Sequence, residues 1–114
     1  MVEPSPPDVV FEGSSLDILR SFPKDVREDL GGDLRRLQSN ERPLDSRSMA
    51  PALRGVFELR DRDKDSWYRL LYVKLDGVVY VLHAFTKKTS QTSRGDIEIT
   101  RKRLGDLKAR LVKQ

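Results

Sequence analysis

The chain has 114 residues, with 22 Lys and Arg against 18 Asp and Glu, a formal net charge of +4. Its length suits one domain, expected at residues 8–114 behind a Pro-rich flexible tail at 1–7, and the basic balance favours an anionic partner. Cysteine is absent and His83 is the single histidine, which excludes disulfide and thiol chemistry and gives no basis for a metal site or a cofactor. No apolar run has membrane-spanning length, and MVEPSPPDVV lacks the basic and apolar regions of a secretory signal, so the expected setting is the cytoplasm with no membrane contact.

In chain order, DVVFE (8–12) predicts a short edge strand, and Gly13-Ser14-Ser15 a turn and helix cap. Leu16, Ile18 and Leu19 begin a first helix that Pro23 ends, while Pro23 suits the first turn of the next. Val26, Leu30, Leu34 and Leu37 recur on one face of that second, amphipathic helix, which Gly31-Gly32 weakens and Ser39-Asn40 closes. Residues 40–53 contain two prolines and no periodicity, and read as a loop. Val56 to Arg60 is a strand, 61–65 a charged hairpin loop, and Trp67 to Leu75 a second strand. Asp76-Gly77 is a two-residue hairpin turn leading to a third strand, Val78 to Thr86, apolar on both faces and so placed inside the sheet. Thr92 or Ser93 caps a last helix with a stripe of Ile97, Leu104, Leu107 and Leu111. The class is α+β, in the order β-α-α-β-β-β-α.

The Asp76-Gly77 turn predicts a register in which Leu75 faces Val78, Arg69 faces Ala84 and Trp67 faces Thr86. Arg69 then shares a face with Trp67, Leu71 and, beyond the strand, Lys88, while His83 points to the other side beside Leu70. A guanidinium among apolar neighbours needs an anion. Two readings stay open: an ion pair with Glu58, or a phosphate clamp beside Lys87 and Lys88. His83 has a pKa suited to a general base, yet its expected face favours a structural role with a hydrogen-bonded ring. Trp67, Tyr68 and Tyr72 could stack on bases, though core packing is the commoner use of strand aromatics.

FELR (57–60), WYRLLY (67–72), VLHAFTKKTSQT (81–92) and the helix with IEITRKR (97–103) resemble the RelE/ParE toxin superfamily, especially its phage-derived HigB-like branch. The resemblance implies a small twisted, mostly antiparallel RelE-like sheet with two N-terminal helices and a C-terminal helix. It implies a type II toxin that cleaves mRNA in the ribosomal 30S A site, through attack of a ribose 2′-OH on the adjacent phosphodiester. On that basis Arg69, Lys88 and Lys87 are the expected catalytic residues, with His83 a further candidate. Arg60, Arg54, Arg47 and Arg94 are the expected RNA-binding residues, Arg94 standing near the place of a Tyr this sequence lacks. The implied partner is a HigA-like helix-turn-helix antitoxin, with DNA contacted only through the complex. The same scaffold also carries ParE-type toxins that act on gyrase, and non-catalytic members.

Overall fold

The structure is a computed structural model and describes residues 8–88 and 92–113. The expected tail at 1–7 and residues 89–91, the first three of TSQT, lie outside the described residues. Eight elements follow in order: β1 (Val9–Phe11), α1 (Ser15–Ser21), α2 (Lys24–Gln38), β2 (Ser46–Ser48), β3 (Val56–Arg62), β4 (Trp67–Leu75), β5 (Val78–Lys87) and α3 (Arg94–Val112). They build a five-stranded sheet ordered β1-β5-β4-β3-β2, in which β1 runs parallel to β5 and the other neighbours are antiparallel. The α+β class and the helices are those the periodicity predicts.

Two features depart from expectation. The segment read as a loop at 40–53 contains β2, which pairs Arg47 with Glu58 at the sheet's border. All three of its residues are exposed, so no apolar alternation marks it in the sequence. The second departure is a bulge. Pairing runs as predicted from Leu75–Val78 to Tyr72–Val81, then skips Leu82 and resumes with Leu71–His83, Leu70–Ala84 and Arg69–Phe85. One extra residue in a strand reverses the face of every side chain after it. His83, Phe85 and Lys87 therefore join Arg69's face, and Ala84, Thr86 and Lys88 leave it. The expected sharing of a face by Arg69 and Lys88, and the separation of His83 from both, are corrected by this bulge.

The sheet is covered on both sides. On one, α1 and α2 bring Leu19, Phe22, Val26, Leu30, Leu34 and Leu37 against Leu59, Leu70, Tyr72, Val79, Val81 and Ala84. On the other, Leu104 and Leu107 of α3 pack on Val56, Leu71, Val73, Leu82 and Phe85, with Leu53 from the loop before β3. Tyr68 packs edge-on against Phe22 and Tyr72 stacks with Phe57, so these tyrosines serve the first core. The Asp76-Gly77 turn has both residues at positive φ, 51° and 81°, the backbone that a two-residue hairpin of this type requires.

Candidate anion-binding site

The polar part of the α3 face begins where its apolar part stops. Alternation along β3 puts Val56, Glu58 and Arg60 on this face, and β4 adds Leu71, Arg69 and Trp67. Val56 and Leu71 belong to the core, and the next residues toward the strand ends are Glu58, Arg60 and Arg69. Glu58 is 0 % exposed, and so is Arg69. Burying either charge alone would be strongly unfavourable, so each fixes the other in place.

Glu58 is the hub of this cluster. Its Oε2 accepts from Arg69 Nη1 at 3.1 Å and from Thr92 Oγ1 at 3.0 Å. Its Oε1 accepts from Arg47 Nε at 3.0 Å, and Arg60 Nε stands 3.8 Å away. Arg60 also reaches Asp45, at 3.4 Å. Three guanidinium groups thus meet two carboxylates, Glu58 and Asp45, an excess of one positive charge. Their exposure differs in a useful way: the Arg47 side chain is 44 % exposed and Arg60 22 %, whereas Arg69 is sealed beneath them. Burial depresses the Arg69 pKa, Glu58 opposes that, and Arg47 and Arg60 add to it; a guanidinium stays charged regardless. The Trp67 ring lies among the cations, 5.3 Å from Arg60, 5.0 Å from Arg62 and 5.7 Å from Arg69. Its quadrupole stabilises them there, so the indole belongs to this cluster.

Lys87 pairs across β4 with Trp67 and enters the same face. Its Nζ lies 3.2 Å from Asp96 Oδ2 at the start of α3. Asp96 also accepts from His83 Nε2 at 2.8 Å and from Ser93 Oγ at 2.6 Å. Burial alone would raise the Asp96 pKa, but the hydrogen bonds from Ser93, His83 and Lys87 hold it below the ordinary value. With Nε2 donating to that carboxylate, Nδ1 of His83 faces Arg103 Nη1 at 3.5 Å as an acceptor. Both ring nitrogens are engaged, and burial, ahead of Arg103 and Lys87, lowers the His83 pKa despite Asp96. His83 is neutral and fastens α3 to β5, the role expected of it, although on the opposite face from the one expected.

Of the residues singled out from sequence, Arg47, Arg60 and Arg69 come together, with Lys87 on the neighbouring strand. Lys88 does not join them: it leaves the strand on the other side and its Nζ contacts Asp65 O at 3.4 Å. Arg54 is exposed on the loop before β3, and Arg94 is exposed at the first turn of α3. Of the two readings of Arg69, the structure shows the ion pair with Glu58; Arg69 is sealed from solvent, which removes it from direct contact with a phosphate, and the exposed guanidiniums beside it are Arg47 and Arg60. Three participants carry roles the sequence reading did not give them: Glu58 as hub, Thr92 as its hydroxyl donor and Asp96 as anchor for Lys87 and His83. A carboxylate at Arg60's parity inside the apolar strand VFELR was the available signal for the first. Among the described residues, no group of three His, Cys, Asp or Glu could hold a metal ion. None of the described helices is long and apolar enough to cross a membrane.

A fixed, partly desolvated set of guanidiniums with surplus charge is a receptor for a phosphate or other tetrahedral anion. Residues 17–105 match the family model described as phage-derived protein Gp49-like. A doubly arginine-to-alanine-substituted form of the E. coli toxin RelE in the free state is 25% identical, covering 87% of this chain and 98% of that one with a TM-score of 0.59. The isolated E. coli RelE toxin in another crystal form is similar in fold at 21% identity, covering 82% and 95% with a TM-score of 0.54. No curated protein matches the sequence significantly.

Proposed function

This chain belongs to the Gp49-like family of phage-derived proteins, within the RelE-like toxin superfamily, and we propose that it is the toxin of a type II toxin–antitoxin pair, a ribosome-dependent endoribonuclease that cleaves mRNA. The observation that carries this reading is the gathering of Arg47, Arg60 and Arg69 around the buried carboxylate of Glu58. In the proposed chemistry, the 2′-oxygen of the substrate ribose bonds to phosphorus, the bond to the 5′-oxygen breaks and a cyclic phosphate remains. Arg60 and Arg47 hold the non-bridging oxygens and stabilise the charge that builds there. Arg69 lies beneath them and holds the Glu58 carboxylate oriented through its Nη1, a positioning role. Lys87, steadied by Asp96, takes the place expected for Lys88 and donates a proton to the leaving oxygen, while the 2′-OH proton passes to water. The partner is a HigA-like helix-turn-helix antitoxin, with DNA reached only through that complex. The substrate is mRNA in the 30S A site, in the cytoplasm, and the reaction uses no metal or cofactor.

A translating extract programmed with one defined mRNA tests this by mapping of 5′ ends. Wild-type protein should cut at positions fixed relative to codons, and Arg60→Gln should cut roughly 10²–10³-fold more slowly, the usual cost of losing one charged stabiliser. Intact mRNA after incubation with wild-type protein would overturn the reading. A specific observation favours a second one, a ParE-like toxin acting on gyrase or a non-catalytic member of the fold. His83, the one imidazole, has both nitrogens occupied and offers no free base. Under that reading Arg60→Gln leaves toxicity unchanged, and wild-type protein inhibits supercoiling by gyrase.

A further inference from the structure

The net charge of this protein is carried by one helix. Residues 94–113 hold seven Lys and Arg against three Asp and Glu, a surplus of four, equal to the formal charge of the whole chain. Part of that surplus is matched: Lys102 pairs with Asp106, and Arg110 with Glu12. Arg103 turns inward to Leu82 O at 2.9 Å. Four remain; Lys113 sits at the end of the helix, and the other three are ordered along one edge. Arg94, Arg101 and Lys108 are spaced by seven, two helical turns, so they form a stripe about 21 Å long on a rise of 1.5 Å per residue. All three are exposed. Among the described residues Arg94 and Lys108 have no partner, and Arg101 is tied to Glu98 and to Ala52 O at 3.1 Å.

The stripe begins at the guanidinium cluster. Thr92, which donates to Glu58, precedes Arg94 by two residues, no more than about 7 Å of chain. It then runs away from the cluster beside the loop that carries Ala52. We propose that this edge of α3 is a phosphate track, which binds the single-stranded RNA flanking the linkage held by Arg47 and Arg60. It rests on the endoribonuclease reading and deepens it, because it assigns where the rest of the substrate lies. Exposed cations in a row, the outer two without a partner among the described residues, suit a polyanion of variable sequence, while the cluster at its head suits a single phosphate. The stripe supplies affinity without chemistry.

The test uses a 12-nucleotide RNA with 2′-O-methyl sugars, which cannot be cleaved, and a 3-nucleotide version that fills only the cluster. Binding is followed by fluorescence anisotropy over a range of salt. The double variant R94Q/K108Q is compared with K24Q/R27Q, which removes the same charge from exposed positions on α2. R94Q/K108Q should weaken the long RNA about tenfold and lower the salt slope by about 1.4, two phosphate contacts at about 0.7 each. Affinity for the short RNA should stay unchanged. K24Q/R27Q should leave both RNAs bound as in wild type. Equal loss with the two double variants would reduce the effect to net charge and overturn the track. So would unchanged binding by R94Q/K108Q together with weakened binding of poly-glutamate, which would assign the stripe to an acidic protein. Wild-type protein that cuts mRNA but binds long RNA equally well with or without the stripe sinks this inference alone. Wild-type protein that neither cuts nor binds sinks the endoribonuclease reading with it.

Discussion

The two faces of the sheet bury their side chains by different rules. Beneath α1 and α2 the contacts are almost wholly apolar, with Leu30, Leu59, Leu70, Val79 and Val81 fully enclosed. Beneath and beyond α3, enclosed residues include Glu58 and Arg69, and His83 is nearly so. The same strands feed both faces, since alternate residues of β3, β4 and β5 point opposite ways. The apolar face holds its shape through dispersion and water exclusion, which need no particular partner. The ionic face holds its shape only while every charge keeps its counter-charge, so it is the face on which geometry is specified and ligand chemistry becomes possible.

Glu58→Gln gives the sharpest break in this contrast. It leaves Arg69 buried without its carboxylate, and urea unfolding should register a loss of about 3–5 kcal/mol. Glu58→Leu with Arg69→Met should recover most of that stability but no anion binding, because an apolar pair fills the space without fixing Arg47 and Arg60. A double variant as weak in urea as Glu58→Gln would mean the ion pair is not what its burial implies. Leu30→Ala, on the other face, should cost about 2–5 kcal/mol by leaving a cavity. Here RNA affinity of the folded fraction should be unaltered, and a comparable fall in affinity would show that the faces are not independent.

Smaller effects follow from two titrating groups on opposite sides. The Asp61 carboxyl is pushed up to about 6, first by burial and then by its hydrogen bond and repulsion with Asp29 and the charge of Asp33, although the Arg62 amide opposes this. A raised folded-state pKa means the native protein holds the proton more tightly, so this contribution is present below about pH 4 and lost as pH rises through 6. Asp61→Asn should therefore stabilise the protein at pH 7 by about 1 kcal/mol after allowance for solvent screening, with no gain below pH 4. Thermal unfolding across pH reads this directly. His83 has the opposite sign: its lowered pKa gives stability that is present above about 6.5 and lost on acidification. Last, a Cβ at Gly105 would meet nothing within 4 Å, so Gly105→Ala should raise stability by about 0.5–1 kcal/mol through helix propensity alone. A decrease in melting temperature would contradict the exposed position of that residue.

Much of the apolar framework was legible in the sequence, because periodicity reports burial directly. Val26, Leu30, Leu34 and Leu37 mark α2, and Asp76-Gly77 marks the β4–β5 turn with its first four residue pairs. The ionic face was legible in part. Arg69 was visible as a misplaced charge and Glu58 as its nearest candidate partner, but pairing beyond Leu71 depended on a bulge. Nothing in LYVKL or VVYVLHAFTK announces that bulge, since Leu82 and His83 both suit a buried strand. An extra residue is a property of the partner strand's length and of packing under α3, neither of which is local. Arg47 was harder still, because the strand that delivers it is three residues long and exposed throughout.

The shortness of β2 has a consequence for how the molecule behaves in company. Both borders of the sheet, Val9–Phe11 and Ser46–Ser48, are only three residues long. An incoming chain seeking to lengthen the sheet finds at most a few free backbone groups on either margin, and on the second it also meets Arg47. High local concentration, as on a polysome making many copies at once, should therefore not drive these chains to zip together edge to edge.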